Sequence, residues 1–169
     1  MDYIIRMMPL MLDGLKTTLW VFALTAILSI PLGMIVCLLR RSGNKLIEAT
    51  MSFYILIMRG TPLLLQLIFV FFGLPYIGII LGREEATLFA YVINYAAYFA
   101  EIFRGGIESI DKGQYEVSAM LGYTSFQTSV HIVLPQAVRI AIPSFMNGFS
   151  SLVKETSIVS ILPVVELTK

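Results

Sequence analysis

Charged residues are scarce in this sequence, and their scarcity argues against whole classes of protein. Only 14% of the 169 residues are charged, 57% are hydrophobic, the mean hydropathy is +0.84 and the formal net charge is +1. An average soluble domain carries about 25% charged residues, so this chain could not cover a water-facing surface, which argues against a soluble enzyme. The lysines and arginines form no stripe that could follow a phosphate backbone, so nucleic acid is not an expected partner.

Residues and motifs that perform covalent chemistry are also few. The single cysteine, Cys37, allows neither an intrachain disulfide nor a cysteine-based metal site, and the single histidine, His131, excludes a His-Glu-x-x-His zinc motif. The sequence contains no Gly-Lys pair for a Walker A phosphate loop and no Gly-x-Gly-x-x-Gly dinucleotide turn. We therefore expect no enzymatic activity, metal or cofactor on this chain itself.

Long apolar runs are what the sequence has instead. The runs 17–39 and 60–82 each hold 23 residues without a charge, which in a helix is enough to cross a hydrocarbon layer of about 30 Å. Two further runs cover 86–103, with one acid near its end, and 140–165, which a Lys-Glu pair interrupts. The sequence therefore predicts an all-α fold, a polytopic membrane helical bundle with four spans.

The segments between the runs complete the predicted topology. Residues 1–12 predict an interfacial lead-in, residues 46–58 predict a helix lying at the membrane interface, and Pro31 and Gly33 predict a bend in the first span. The polar stretch 104–139 is long enough for short helices outside the bilayer. Seven basic residues fall in this stretch and in the loop after the first span, against three on the other side. This predicts a cytoplasmic polar stretch and an external N-terminus.

Polar residues recur on one helical face in the third and fourth runs, at spacings of three, four and three residues. Polar groups in hydrocarbon need partners, and a lysine at a span centre costs about 2.5–3.5 kcal/mol on insertion scales, so these faces should avoid lipid. Two interpretations stay open: hydrogen bonding and packing between helices, or the lining of a polar substrate path. The residues assigned to a path are Asn94, Tyr98, Glu101, Ser144, Asn147, Ser151, Lys154 and Glu155.

The polar stretch contains one specifically spaced pattern. Glu116 is followed six positions later by Gly122, and then, after nine residues, by Ile132-Val133-Leu134-Pro135. This resembles the EAA loop of the membrane subunits of bacterial ABC importers, with Val117-Ser118 in place of two alanines. A glycine suits a helix end in the left-handed conformation, and Leu134-Pro135 is expected to redirect the chain toward the fourth span. The resemblance implies that coupling to an ATPase involves Glu116, Ser118, Gly122, Ile132, Leu134 and Pro135.

Four further segments are similar, in the family's order, to the polar amino acid permease group of these importers: Gly14–Leu19, Met58–Gln66, Tyr98–Ile107 and Leu152–Ser157. The resemblance implies that the chain forms a substrate path with a second permease subunit, either a copy or a homologue. It also implies that two ATP-binding subunits dock at 104–139 through a cytoplasmic coupling loop. An extracytoplasmic solute-binding protein would deliver an amino acid, ATP and magnesium would lie on partner subunits, and lipid of the bacterial cytoplasmic (inner) membrane would surround the spans.

The resemblance also raises an expectation about length and leaves alternatives. Family members continue past the Leu-Thr at 167–168 with another hydrophobic helix, so this sequence is expected to lack the last span. One alternative is therefore a non-transporting membrane subunit, truncated or regulatory, that keeps the docking loop. Another is an importer of a different polar substrate, such as an opine or a sulfur-containing amino acid.

Overall fold

A computed structural model describes residues 2–156, which form helices joined by short connections, so the predicted all-α fold is confirmed. The helices are α1 (Asp2–Arg40), α2 (Lys45–Gly60), α3 (Leu63–Ile68), α4 (Arg83–Glu108), α5 (Lys112–Met120), α6 (Ser125–Thr128) and α7 (Leu134–Glu155). A π-helical turn (Phe69–Gly73) and a 3-10 turn (Leu74–Ile77) extend α3, and a second π-helical turn (Ser129–Val133) joins α6 to α7.

The helices α1 and α4 run parallel. Arg40 pairs with Glu101 near the C-terminal ends of both helices, while Trp20 and Arg83 line one cavity near the other end of α4. The chain between α1 and α4 therefore has to return from one end of the bundle to the other. It does so through α2 and the α3 segment.

The helix α7 runs antiparallel to α4. At the end of α4, Gly106 lies so close to the start of α7 that a Cβ there would be 2.8 Å from the Ala137 carbonyl oxygen. Near the start of α4, the Tyr91 hydroxyl donates a hydrogen bond of 2.6 Å to the carbonyl of Glu155, the last residue of α7. The helix α7 therefore carries the chain back along α4.

The core lies where α1, α4 and α7 meet. Phe99 is fully buried there, with its ring centroid 5.3 Å from that of Phe145 and 5.7 Å from that of Phe149. On the α1 side, a Cβ at Gly33 would lie 2.8 Å from Phe99 Cβ and 2.9 Å from the Ala96 carbonyl oxygen. Glycine is therefore required at this position, because the two backbones touch.

The first helix is longer and more continuous than predicted. Residues 2–12 prolong α1 instead of forming a separate interfacial lead-in, because Gly14 does not end the helix. The helix also continues through Pro31 and Gly33, so the predicted bend does not interrupt it. A proline removes one helical hydrogen bond, a loss that packed neighbouring helices make tolerable in a membrane protein.

The second predicted span, 60–82, requires correction. The helical segment Leu63–Ile77 leaves α2 at an angle of 106°, so the predicted interfacial helix and the predicted span are two arms of one bent element. The cause is Pro62, which lacks an N–H and keeps Thr61 in an extended conformation with φ −116° and ψ 144°. The second arm ends at Gly78, whose φ of +85° is left-handed, so it is shorter than predicted.

Short helices lie within the polar stretch 104–139, as expected, but the two long helices on either side of it extend further into it than predicted. The helix α4 continues to Glu108, and residues 125–155 form one helix of 31 residues through the π-helical turn. The expectation that Leu134-Pro135 redirects the chain is wrong. The Leu134 N–H bonds the Ser129 carbonyl five residues back, and this wider turn accommodates the proline ring without ending the helix.

Three helices of the described part are long and apolar enough to cross a membrane, and the bent element adds a fourth crossing if it is one span. The three are Gly14–Arg40, Arg83–Glu108 and Ser125–Glu155. Residues 157–165 of the predicted run 140–165 lie outside the described residues. The segment to which the expectation about the last span refers lies outside them as well.

Candidate functional site

A polar groove lies between α4 and α7, bordered by the end of α2. It contains two adjoining cavities of about 290 and 410 Å³, near the lower end of the range for small-molecule sites. Both cavities are lined by Arg59, Tyr98, Ile102 and Ser144. The first cavity adds Tyr95, Asn147, Gly148, Ser151 and Glu155, and the second adds Glu101, Gly105, Gly106, Ile140 and Ala141.

Glu155 provides a negative charge in the first cavity. Its Oε2 accepts a hydrogen bond of 2.8 Å from the Tyr95 hydroxyl, and its backbone carbonyl accepts the bond from Tyr91. Both tyrosines are buried and come from α4. One helix therefore fixes both the backbone and the carboxylate of Glu155 at the edge of the first cavity.

Arg59 provides a positive charge to both cavities. Its guanidinium carbon lies 5.2 Å from the Tyr98 ring centroid, within range of a cation–π interaction, and its Nη1 lies 3.6 Å from Glu101 Oε2. Glu101 also pairs with Arg40 and, at 2.7 Å, with Arg104. Three arginines thus converge on the Glu101 carboxylate, and of these three only Arg59 lines the groove.

The structure brings together six of the eight residues predicted for a path: Tyr98, Glu101, Ser144, Asn147, Ser151 and Glu155. It places the other two, Asn94 and Lys154, outside the lining of the groove. Lys154 is exposed on α7, because neighbouring residues of a helix point about 100° apart and Glu155 faces inward.

Asn94 is used in packing between helices. Its Nδ2 donates to the Met58 carbonyl at 2.8 Å and to Gln66 Oε1 at 3.0 Å, and the residue is 3% exposed. The polar stripe on α4 is therefore divided. Tyr91 and Asn94, in its first half, form hydrogen bonds to other helices, whereas Tyr98 and Glu101 face the groove.

Sequence reasoning missed Arg59 and Tyr95 as groove residues. In the sequence, Arg59 counts only among the basic residues that set the orientation. Nothing in the apolar run after it indicates that the chain bends there. An arginine placed directly before Gly60-Thr61-Pro62 at the end of an amphipathic helix was the available signal. Tyr95 lies beside the face that the three-four-three spacing defines, so periodicity alone did not select it.

The EAA-like residues form the short helix α5 and its caps. At the start of α5, the Asp111 carboxylate accepts a hydrogen bond of 2.6 Å from the Gly113 N–H. At the end, Gly122 has φ +81° and the Tyr123 N–H bonds the Ser118 carbonyl at 3.0 Å, which is a Schellman motif. The predicted helix end at Gly122 is confirmed.

The residues to which the resemblance assigns coupling differ in exposure. Glu116 and Pro135 are exposed, whereas Ile132 and Leu134 are half-buried. Ser118 is 1% exposed and its hydroxyl donates to the Gln114 carbonyl. This bond lies within α5 itself, and the Ser118 side chain does not face outward.

Large apolar side chains face outward around α5. Met120 is 85%, Leu121 70%, Val117 55% and, at the start of α6, Phe126 75% exposed. These four residues, which we call the α5 surface, lie outside the helices long enough to span a membrane, except for Phe126 at the start of the third. Clustered exposed apolar residues of this kind mark protein contact sites.

Residues 29–164 match the family model for the binding-protein-dependent transport system inner membrane component. The chain belongs to this family. It is therefore a multi-pass membrane permease of the ABC importer class, which works with ATP-binding and other subunits. As a permease it is a transport component rather than an enzyme.

Curated relatives are amino acid permeases. The probable amino-acid ABC transporter permease protein YckA of Bacillus subtilis is 37% identical over 96% of this chain and 72% of its own length. The putative glutamine transport system permease protein GlnP of Rickettsia conorii is 34% identical over 99% of this chain and 79% of its own. The L-cystine transport system permease protein TcyB of Bacillus subtilis is 36% identical over 94% and 68%.

Solved structures share the fold. A crystal structure of an amino acid ABC transporter with histidines superposes with a TM-score of 0.89 at 35% identity, over 95% of this chain and 75% of that one. An inward-facing MetNI methionine ABC transporter has a TM-score of 0.70 at 20% identity, over 93% and 76%, and shows the fold alone. The resemblance to amino acid ABC permeases is confirmed.

Proposed function

We propose that this permease carries a polar amino acid across the bacterial inner membrane through the groove between α4 and α7. The observation that carries the proposal is the pair of opposite charges in one groove. Arg59 and Glu155 both line the first cavity, and hydroxyl and amide groups of Tyr98, Asn147 and Ser151 line it with them. An amino acid with a carboxylate, an ammonium group and a polar side chain matches this set of groups.

The charges in the groove are arranged to meet a zwitterion. A guanidinium binds a carboxylate through two parallel hydrogen bonds, so Arg59 suits the α-carboxylate. Glu155 has one oxygen held by Tyr95 and suits an ammonium group with the other. Charged groups away from bulk water need partners, so a zwitterion that supplies both charges is favoured over a neutral solute.

The named relatives support the same substrate class. Two of them are named for glutamine and cystine transport, and the similar crystal structure is of an amino acid transporter with histidines. All three are polar amino acids. We therefore assign an amino acid to the groove and do not favour the non-transporting alternative.

The α5 surface is the proposed docking site for ATP-binding subunits. It is apolar, exposed and held on a helix that is capped at both ends. Docked subunits would bind ATP and magnesium and hydrolyse the ATP. A second permease subunit and a solute-binding protein outside the cytoplasm would complete the importer, and the groove would line one side of a path between the two permeases.

The test is direct binding of labelled glutamine to the purified transporter complex without any solute-binding protein. Arg59→Gln and Glu155→Gln should each raise the Kd about tenfold or more, because a charge-assisted hydrogen bond contributes about 1.5–3 kcal/mol. Glu84→Gln removes a carboxylate from an exposed site at the start of α4 and is the matched control. If both groove variants bind glutamine and cystine like the unmodified complex, the groove is not the substrate site.

A further inference from the structure

The Met58 carbonyl is deprived of its helical partner by the sequence. In an uninterrupted helix it would accept a hydrogen bond from the residue four positions on, but that residue is Pro62, which has no N–H. Two side-chain amides replace the missing donor: Asn94 Nδ2 at 2.8 Å and Gln66 Nε2 at 3.0 Å. Since a buried carbonyl without a donor is costly, these amides stabilise the bend after α2.

The same two amides are also joined to each other and to the bend. Asn94 Nδ2 donates to Gln66 Oε1 at 3.0 Å, and Gln66 Nε2, which also bonds the Met58 carbonyl, uses its second hydrogen for Thr61, whose Oγ1 lies at 2.7 Å and whose carbonyl lies at 3.2 Å. We call Asn94, Gln66, Thr61 and the Met58 carbonyl the amide junction. It connects α2, α3 and α4, and Asn94 is buried at its centre.

The amide junction lies next to the residue that brings positive charge to the groove. Arg59 follows Met58 directly, and its guanidinium lies over Tyr98, which is one helical turn after Asn94 on α4. The helix α4 therefore contacts the end of α2 at two successive residues. Asn94 bonds the backbone carbonyl of Met58, and Tyr98 lies under the side chain of Arg59. A rotation of the end of α2 would break the first contact and move Arg59 away from the cavity.

We propose that Asn94 is a positioning residue for Arg59. It does not line the groove, and it acts by holding the Met58 carbonyl so that the guanidinium faces the cavity. This inference rests on the proposed function, since Arg59 has to bind the carboxylate of the substrate. A buried asparagine that does not contact the substrate would thus affect the affinity for the substrate.

The test compares Kd values for labelled glutamine in the purified transporter complex. Asn94→Leu keeps the number and branching of the side-chain heavy atoms and removes both donated hydrogen bonds, and we expect its Kd to rise about five- to tenfold. Because Asn94 acts through Arg59, the double variant Asn94→Leu with Arg59→Gln should bind no more weakly than Arg59→Gln alone. Multiplied effects in the double variant, or an unchanged Kd for Asn94→Leu, would overturn the proposal.

A control separates positioning from general damage to α4. Thr87→Val removes another buried polar group of the same helix, whose hydroxyl bonds the Arg83 carbonyl. We expect it to leave the Kd unchanged, so an equal rise would contradict a specific role of Asn94. If Asn94→Leu fails to accumulate in the membrane, Gln66→Met takes its place in the test. This variant removes the other amide of the junction and should raise the Kd about threefold. An unchanged Kd would overturn the proposal.

The result for Arg59→Gln separates a failure of the groove assignment from a failure of the positioning role of Asn94. If that variant binds glutamine normally, Arg59 does not hold the substrate and the positioning role fails, and the groove assignment fails as well if Glu155→Gln also binds normally. If Arg59→Gln binds weakly while both junction variants bind normally, the groove assignment stands and only the positioning role is wrong.

Discussion

The two sides of α4 meet their neighbours in opposite ways. Toward α1, Gly33 brings the backbones into contact, and an added Cβ would lie 2.9 Å from the Ala96 carbonyl oxygen. Toward α7, the backbones come close at one end, at Gly106 and Ala137, whereas beyond that end side chains such as Phe99 and Phe145 make the contact, beside cavities of about 290 and 410 Å³. One helix is therefore packed rigidly on one side and lines a site on the other.

The difference follows from the size and polarity of the residues that face each side. Glycine and alanine allow van der Waals contact between backbones, which is a main source of helix association in membranes. Tyr98, Ser144 and Asn147 are too large or too polar to pack in that way and leave space between the helices. The α1 side gives the groove a fixed frame, while the α7 side supplies its chemistry.

The largest expected effect is on the α1 side of α4. Gly33→Val should destabilise the protein by about 1–3 kcal/mol, because the new side chain meets the backbone of α4 and the neighbouring helix has to shift. The measurement is the Tm of the purified complex in detergent. Gly14→Val is the matched control on the same helix, since nothing lies within 4 Å of a Cβ there. Equal losses in Tm would show that the close contact at Gly33 is not required.

A smaller effect is expected at a glycine that is needed for its backbone conformation rather than for packing. Gly122 has φ +81° with nothing within 4 Å of a Cβ, so Gly122→Ala should cost about 1–2 kcal/mol of local conformational energy without any clash. The end of α5 should then unwind and displace Met120 and Leu121. We expect the substrate-stimulated ATPase rate of the assembled importer to fall several-fold with little change in Tm.

The conservative variant sharpens the test at this position. Asparagine tolerates the left-handed conformation better than other residues with a side chain, so Gly122→Asn should retain most of the ATPase stimulation. If alanine and asparagine impair it equally, the conformation of Gly122 is not the reason for its role.

The parts that sequence predicted well are those that depend on local composition. The apolar runs gave the fold class because a span needs only length and hydropathy. The end of α5 was predictable because a helix often ends at a residue with positive φ, and glycine, here Gly122, adopts positive φ easily. The stripe on α7 gave three lining residues, since helical periodicity fixes which side chains share a face.

The parts that sequence missed depend on contacts between distant segments. The bend at Pro62 lay hidden in a charge-free run, and hydropathy does not distinguish a bent arm from a straight span. Asn94 and Tyr98 share one face of α4, but only the position of α2 decides that the first packs and the second lines the groove. Leu134-Pro135 was misinterpreted because a π-helical turn absorbs the proline, and the polar residues around it resemble a loop.

The smallest expected effect is on the α7 side of the comparison. Asn147 is exposed in the groove, so Asn147→Ala should leave the Tm unchanged and weaken glutamine binding about two- to tenfold, as expected for one neutral hydrogen bond of about 0.5–1.5 kcal/mol. Ser150→Ala, at an exposed α7 position that does not line the groove, is the control and should change neither quantity. The two substitutions would then differ clearly: Gly33→Val lowers the stability, whereas Asn147→Ala lowers the affinity for glutamine. Normal binding combined with a lowered Tm in Asn147→Ala would instead mean that Asn147, like Asn94, serves packing between helices, and the substrate would have to contact other residues of the groove.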